Sequence, residues 1–175
     1  MLASKVLIQV DVQNVFYGSR SFTENKGRVD YKRLVAFLSD TAEDRLGGPV
    51  EVTVMGYVVQ TPRNDGTAFF EFLKRIGYRL RVTSFPGEIL PKDEQWKGTV
   101  ASMIQMDYVD FAADYDMVII VSGSGVFEPV FKASKVNWPH VRRAIAAFDT
   151  TLHKSYVQQG NLVHAVIPLT NQVLM

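Results

Sequence analysis

Apolar positions along the chain switch between two periods. Short β-rich runs stand at residues 5–10 (KVLIQV), 50–59 (VEVTVMGYVV), 78–84 and 117–121, and between them apolar residues recur every three or four positions. Asp30 is placed to cap a helix over 31–46, where Leu34, Val35, Leu38 and Ala42 form a stripe and Gly47-Gly48-Pro49 ends it. Residues 67–77 put Phe69, Phe70, Leu73 and Ile76 on one face, with Gly77 as the C-terminal stop. PRNDG at 62–66 reads as a loop, and residues 85–96 (FPGEILPKDEQW) predict a longer polar one, of a length usual in functional flaps or mobile segments. Further helices are predicted over 97–113, 126–134 and 151–159, a last strand over 162–167, and a strand or loop over 142–147. Strands alternating with helices imply parallel β-α-β crossovers, hence a three-layer α/β/α sandwich on a mainly parallel central sheet. No repeat, low-complexity tract or linker divides the sequence, so one domain over residues 1–175 is expected.

Composition removes several classes of function. The chain has 175 residues, 47% of them hydrophobic, enough to bury a core without staples. It has no cysteine, which excludes disulfides, zinc–thiolate centres and cysteine nucleophiles. No apolar run reaches the roughly 18 residues that a membrane helix needs. Met1-Leu2-Ala3-Ser4-Lys5 leads directly into a strand rather than a signal peptide, so a cytoplasmic protein without a membrane partner is expected. A net charge of +1 exerts no global pull on nucleic acid. Basic residues nevertheless cluster at Lys74, Arg75, Arg79 and Arg81, at Lys132 and Lys135, and at Arg142 and Arg143. Charge pattern alone leaves two readings open: solvated helix faces and strand ends, or a surface for a phosphate backbone.

In a doubly wound sheet, ligands bind beyond the carboxyl ends of the strands. Two such ends carry polar residues: Asp11-Val12-Gln13-Asn14, and Ser122-Gly123-Ser124-Gly125. Asp11 and Asn14 offer hard oxygen ligands, yet the same pair suits a turn that caps its own backbone. In the helix over 97–113, Asp107 shares a stripe with Val100, Met103, Ile104, Tyr108 and Phe111. An unpaired carboxylate there is costly, so either neighbouring backbone, Lys or Arg satisfies it or it faces a polar pit at the strand ends. His140, His153 and His164 lack metal-ligand spacing and read as structural or surface residues. Phe69 and Phe70 read mostly as core, while Phe72, Trp96 and Trp138 could stack on a base or pack at an interface.

Four segments in order carry a family resemblance: VLIQVDVQN, FFEFLKRIGYRLRV, WKGTVASMIQMDYVDFAADYDMVIIVSGSGVFEPV and AAFDTTLHKSYVQQGNLVHAVIPL. Together they resemble the NYN branch of the PIN-like nuclease superfamily, near its LabA-type members. The resemblance implies an RNA partner and ribonuclease chemistry in which clustered carboxylates hold Mg²⁺ or Mn²⁺. It assigns Asp11 as a metal ligand, Asn14 as its companion and Asp107 as a helix carboxylate.

The chain departs from the family where the acids belong. The family loop reads Ser-Gly-Asp-x-Asp-Phe, whereas Ser124 and Val126 stand at the two acidic positions. A further family acid on the helix, two turns before Asp107, falls on Val100 or Ala101. Weak Mg²⁺ or Mn²⁺ affinity at Asp11 and Asp107, and cleavage weakened or lost, are therefore expected. Losing the acids also favours an anion over a cation, with Lys97, Ser122, Gly123, Ser124, Gly125, Arg142 and Arg143 as the groups to bind phosphate; an ordinary turn capped by its own serines is the other reading. Two alternatives remain open: a non-catalytic protein-interaction module or homodimer, and an active nuclease using a relocated acid such as Glu128 or Asp110.

Overall fold

Strand β1 (Ser4–Asp11) is buried over its last six residues, which suits a central strand of a parallel sheet covered on both faces. The computed structural model describes residues 2–62, 66–84 and 94–175. Strands β2 (Val50–Gln60), β3 (Arg79–Ser84), β4 (Met117–Val121), β5 (Arg142–Ala147) and β6 (Ala165–Pro168) join β1 in one sheet of order β3-β2-β1-β4-β5-β6. Every neighbouring pair is parallel. The chain winds outward from β1 to β3, returns to place β4 beside β1, and winds outward again. The crevice beyond the carboxyl ends of β1 and β4 is thus the topological switch point of a three-layer, Rossmann-like α/β fold.

Alternation along β1 sends Val6, Ile8 and Val10 to one face and Leu7 to the other. The first face is covered by α1 (Val12–Phe22), α2 (Tyr31–Leu46) and α3 (Thr67–Arg75), through Val15, Leu34, Leu38 and Leu73. The second is covered by α4 (Glu94–Phe111), α5 (Glu128–Asn137) and the single turn α6 (Ser155–Gln158), through Ile104, Tyr108, Phe131 and Tyr156. Helix α2 begins where expected, because the Asp30 carboxylate accepts the N–H groups of Lys32 and Arg33, both at 3.0 Å. It ends on Gly47 at φ 74°, a left-handed conformation that glycine adopts without strain. Among the described residues, no helix is long and apolar enough to cross a membrane.

Several elements differ from expectation for identifiable reasons. Residues 12–22, whose start reads as a turn, form α1, capped by Asp11 through the Asn14 N–H at 3.1 Å. Helix α4 begins at Glu94, so the loop expected over 85–96 is shorter at its end, and 85–93, like 63–65, lies outside the described residues. Residues 142–147 are a strand with five of six positions buried. The helix expected over 151–159 shrinks to α6, because the His153 N–H donates to the Gly123 carbonyl at 2.8 Å and holds that backbone out of a helical ladder. The last strand begins at Ala165 rather than at residue 162.

Candidate functional site

The switch-point crevice gathers Asp11, Asn14, Ser122 and Gly123. Asp11 closes β1 and caps α1, so one carboxylate oxygen accepts the Asn14 N–H. The other accepts the Ser122 hydroxyl at 3.2 Å. Asn14 sits one turn into α1, and its side-chain oxygen accepts the Gly123 N–H at 2.9 Å. Burial pushes the Asp11 carboxyl up to about 6, although the bonds from Asn14 and Ser122 favour its ionised form.

The Ser-Gly loop spends its donors on itself. The Ser124 N–H points at the Ser122 hydroxyl oxygen at 3.4 Å, and the Val126 N–H at the Ser124 oxygen at 3.5 Å. With the Gly123 N–H held by Asn14, two of the N–H groups expected to cradle an anion, those of Gly123 and Ser124, already have partners in the chain. The loop is also covered by a segment that sequence reasoning did not attach to it. Ser124 O accepts the Tyr156 hydroxyl at 2.6 Å, and a Cβ on Gly123 would lie 2.1 Å from the Thr151 carbonyl oxygen. A Cβ on Gly125 would meet the His153 ring at 2.7 Å. The two glycines were the only local sign of this contact; they permit close approach of the 148–156 segment, and spacing alone could not name Thr151, His153 and Tyr156.

Asp107 takes the ion-pair alternative left open for it, with partners on β2 and β3 rather than Asp11, Asn14 or Ser122. Its carboxylate, 1% exposed, accepts two bonds from Arg81, at 3.1 Å from Nε and 2.9 Å from Nη2, and one from the Tyr57 hydroxyl at 2.9 Å. Gln9 donates in turn to the Tyr57 oxygen at 2.8 Å and to the Ile104 carbonyl at 3.0 Å. One residue each from β1, β2, β3 and α4 therefore meets in a chain of polar contacts beneath the crevice. Helix α4 runs opposite to the strands, so positions two turns before Asp107 lie nearer Asp11. Those positions are Val100 and Ala101, both buried in the apolar core.

Arg142 and Arg143 also need correction. Arg142 pairs in register with Met117, the first residue of β4, which puts both arginines at the amino ends of the strands, away from the crevice. Arg143 is buried and donates to the carbonyls of Leu162 and Val141, both at 3.3 Å, while Arg142 donates to the Arg45 carbonyl. Lys97 is exposed in the first half of α4. Glu128 is turned to the α5–α6 side, where Gln159 donates to it at 3.2 Å and Lys132 lies at 3.6 Å. A hydrogen bond with Ser155 above all, and then the contacts with Gln159 and Lys132, hold its carboxyl below the usual range. Asp110 is exposed one turn further along α4, away from the crevice.

Mg²⁺ and Mn²⁺ require several hard oxygen donors converging on one point. No group of three His, Asp or Glu residues among the described residues could hold a metal ion. Asp11 stands with neutral Asn14 and Ser122, the loop acids are replaced by Ser124 and Val126, and the helix position is apolar. This donor set does not fit a carboxylate-held divalent centre.

A doubly wound parallel sheet, with Asp-x-x-Asn leaving β1 and a Ser-Gly loop leaving β4, defines a PIN-like α/β domain. The chain belongs to the NYN domain family, a PIN-like ribonuclease family, whose model matches residues 5–156. Among curated proteins there is no significant match. Among solved structures, it is similar to a protein of unknown function from Vibrio parahaemolyticus, at 19% identity and a TM-score of 0.79, covering 99% of this chain and 97% of that one. A glycosyltransferase from Arabidopsis thaliana complexed with UDP-L-rhamnose has 14% identity, a TM-score of 0.35, and coverage of 85% and 36%. The N-terminal domain of a Candida albicans trehalose-6-phosphate phosphatase has 10% identity, a TM-score of 0.37, and coverage of 98% and 37%. The first match shows the fold, and the other two carry no weight.

Proposed function

We propose that this NYN domain binds RNA and that its capacity for phosphodiester cleavage is weakened or lost. Family membership supports RNA as the partner. The observation that carries the second half is the donor set at the switch point. Phosphodiester hydrolysis in this family's manner needs clustered charge to activate water and to offset the developing charge on the phosphate. Asp11 instead serves as a helix cap and a hydrogen-bond acceptor, and Asn14 and Ser122 hold the Ser-Gly loop closed. What remains is the framework of a nuclease crevice with its chemistry replaced by internal hydrogen bonds.

The test incubates the purified chain with 5′-labelled single-stranded RNA in Mn²⁺, beside an Asp11→Ala variant and a Ser124→Asp/Val126→Asp variant. The wild type is expected to leave the RNA intact, with no difference on removing Asp11. Robust Mn²⁺-dependent cleavage that Asp11→Ala abolishes would overturn the reading and establish an active nuclease. Absence of RNA binding at any salt concentration would favour a protein-interaction module instead.

A further inference from the structure

Two cavities adjoin on the α1 side of the sheet, on the opposite face from α4. The first, about 450 Å³, opens between α1 and α3 and is walled by Phe16, Tyr17, Tyr31, Phe69, Phe70 and Phe72. Phe16, Tyr17, Phe69 and Phe72 are between 36% and 47% exposed, so these rings are only part-covered by the core. Phe69 and Phe72 lie nearly parallel, with centroids 6.5 Å apart and planes at 24°. The second cavity, about 410 Å³, shares Phe16 and Arg28 with the first and adds Arg20, Lys26, Asn25 and Gly27. No acidic side chain lines either cavity among the described residues.

The cationic wall is held in place. Glu24 and Asn25 both take left-handed backbone conformations, at φ 52° and 69°, which side-chain-bearing residues adopt at a cost. The turn they make is tied by the Asn25 N–H to the Arg20 carbonyl at 2.7 Å and by the Gly27 N–H to the Thr23 hydroxyl at 2.6 Å. The Arg28 carbonyl accepts the Met175 N–H at 2.9 Å. The Arg20 guanidinium lies 5.3 Å from the Phe16 ring centre, linking the two walls. On the aromatic side, Gln13 contributes to the lining, and its Oε1 has no hydrogen-bond partner among the described residues.

Occupants of the pair can be ranked by what each leaves unmatched. A purely apolar ligand would fill the aromatic cavity and make no use of the three cations beside it. A lone phosphate would answer the cations and make no use of the rings. A planar base on an anionic backbone uses both, and an amide at the edge can pair with a base edge. We propose that this α1–α3 groove binds single-stranded RNA, with a base stacked among Phe16, Phe69 and Phe72 and the adjoining phosphate held by Arg20, Lys26 and Arg28. The inference rests on the RNA-binding reading above and gives it a location beside the switch-point crevice, with Val12 and Gln13, which lie between Asp11 and Asn14 of the crevice, lining the groove.

The test measures fluorescence anisotropy of 5′-labelled oligouridylate and oligoadenylate, each of about 10 nucleotides, in EDTA across a salt series. Phe16→Leu/Phe72→Leu keeps the apolar volume and removes the rings; binding is expected to weaken roughly tenfold, as loss of one stacked base predicts. Phe16→Tyr/Phe72→Tyr is expected to restore it. Arg20→Gln/Arg28→Gln, both at exposed positions, should lower the slope of log affinity against log salt by about 1.4, or about 0.7 for each phosphate contact. Wild-type binding that neither the leucine pair nor the glutamine pair alters would overturn this inference and leave the RNA-binding reading standing. Failure of the wild type to bind either oligonucleotide would overturn both.

Discussion

Burial pushes the Asp11 carboxyl up to about 6 from its ordinary 3.8, against two hydrogen bonds that favour the charged form. A carboxyl that holds its proton more tightly when folded loses stability as pH rises from 3.8 to about 6, and the cost persists above that window. A shift of about two units corresponds to roughly 3 kcal/mol. Asparagine caps a helix as well as aspartate does and carries no charge to bury. Asp11→Asn is therefore expected to raise the urea midpoint at about pH 7.5 and to lose that advantage near about pH 4. A destabilised Asp11→Asn at the higher pH would contradict this account of the residue. Gly123 makes the opposite prediction. A Cβ there would sit 2.1 Å from a backbone oxygen that cannot rotate away, so Gly123→Ala should cost about 3 kcal/mol or more in chemical denaturation. Asp11 and Gly123 stand out in the sequence as strand-end residues, and the contact that Gly123 makes does not. Its glycine serves contact with Thr151, 28 positions along the chain, which no local pattern reports.

At the scale of elements, α4 is fixed to three strands through Gln9, Tyr57, Arg81 and Asp107. Arg81 is 51% exposed and Asp107 only 1%, so the two ends of the ion pair should respond unequally to removal. Arg81→Ala leaves a buried carboxylate with, among the described residues, the Tyr57 hydroxyl as its donor, and a loss of about 3 kcal/mol is expected. Asp107→Asn keeps an acceptor for Tyr57 and lets Arg81 turn to solvent, at a cost nearer 1 kcal/mol. Equal losses in thermal or urea unfolding would contradict this asymmetry. Because the Asp107 carboxylate is held by Arg81 and Tyr57, Asp107→Asn is also expected to leave RNA affinity unchanged. The periodicity of the helix over 97–113 correctly put Asp107 on the buried face and left its partner open. Arg81, in a β3 whose residues are mostly exposed, resolves that choice through the parallel pairing of β2 with β3. Helix α1 was illegible for a related reason: its first residues, Val12-Gln13-Asn14, also suit a turn, and its exposed Phe16 and Tyr17 blur the amphipathic stripe.

At the scale of the molecule, strand alternation and crossover spacing were enough to predict the layered α/β fold, because a parallel sheet restricts the arrangements available to it. Charge clusters were less informative, since their meaning depends on which end of the sheet they reach. Arg142 and Arg143 fall at the amino ends of the strands and serve carbonyls, whereas Arg20, Lys26 and Arg28, scattered over a helix end and a turn, line one cavity. The molecule thus presents an internally satisfied crevice at the nuclease position and, next to it along α1, an aromatic, cationic groove. The most direct measurement compares the affinity of one labelled single-stranded RNA in EDTA and in Mn²⁺, and recovers the probe afterwards. Equal affinities that both weaken with added salt, with full-length RNA recovered from each, are the predicted result. Binding that Mn²⁺ strengthens about tenfold or more, or RNA recovered as fragments, would contradict it.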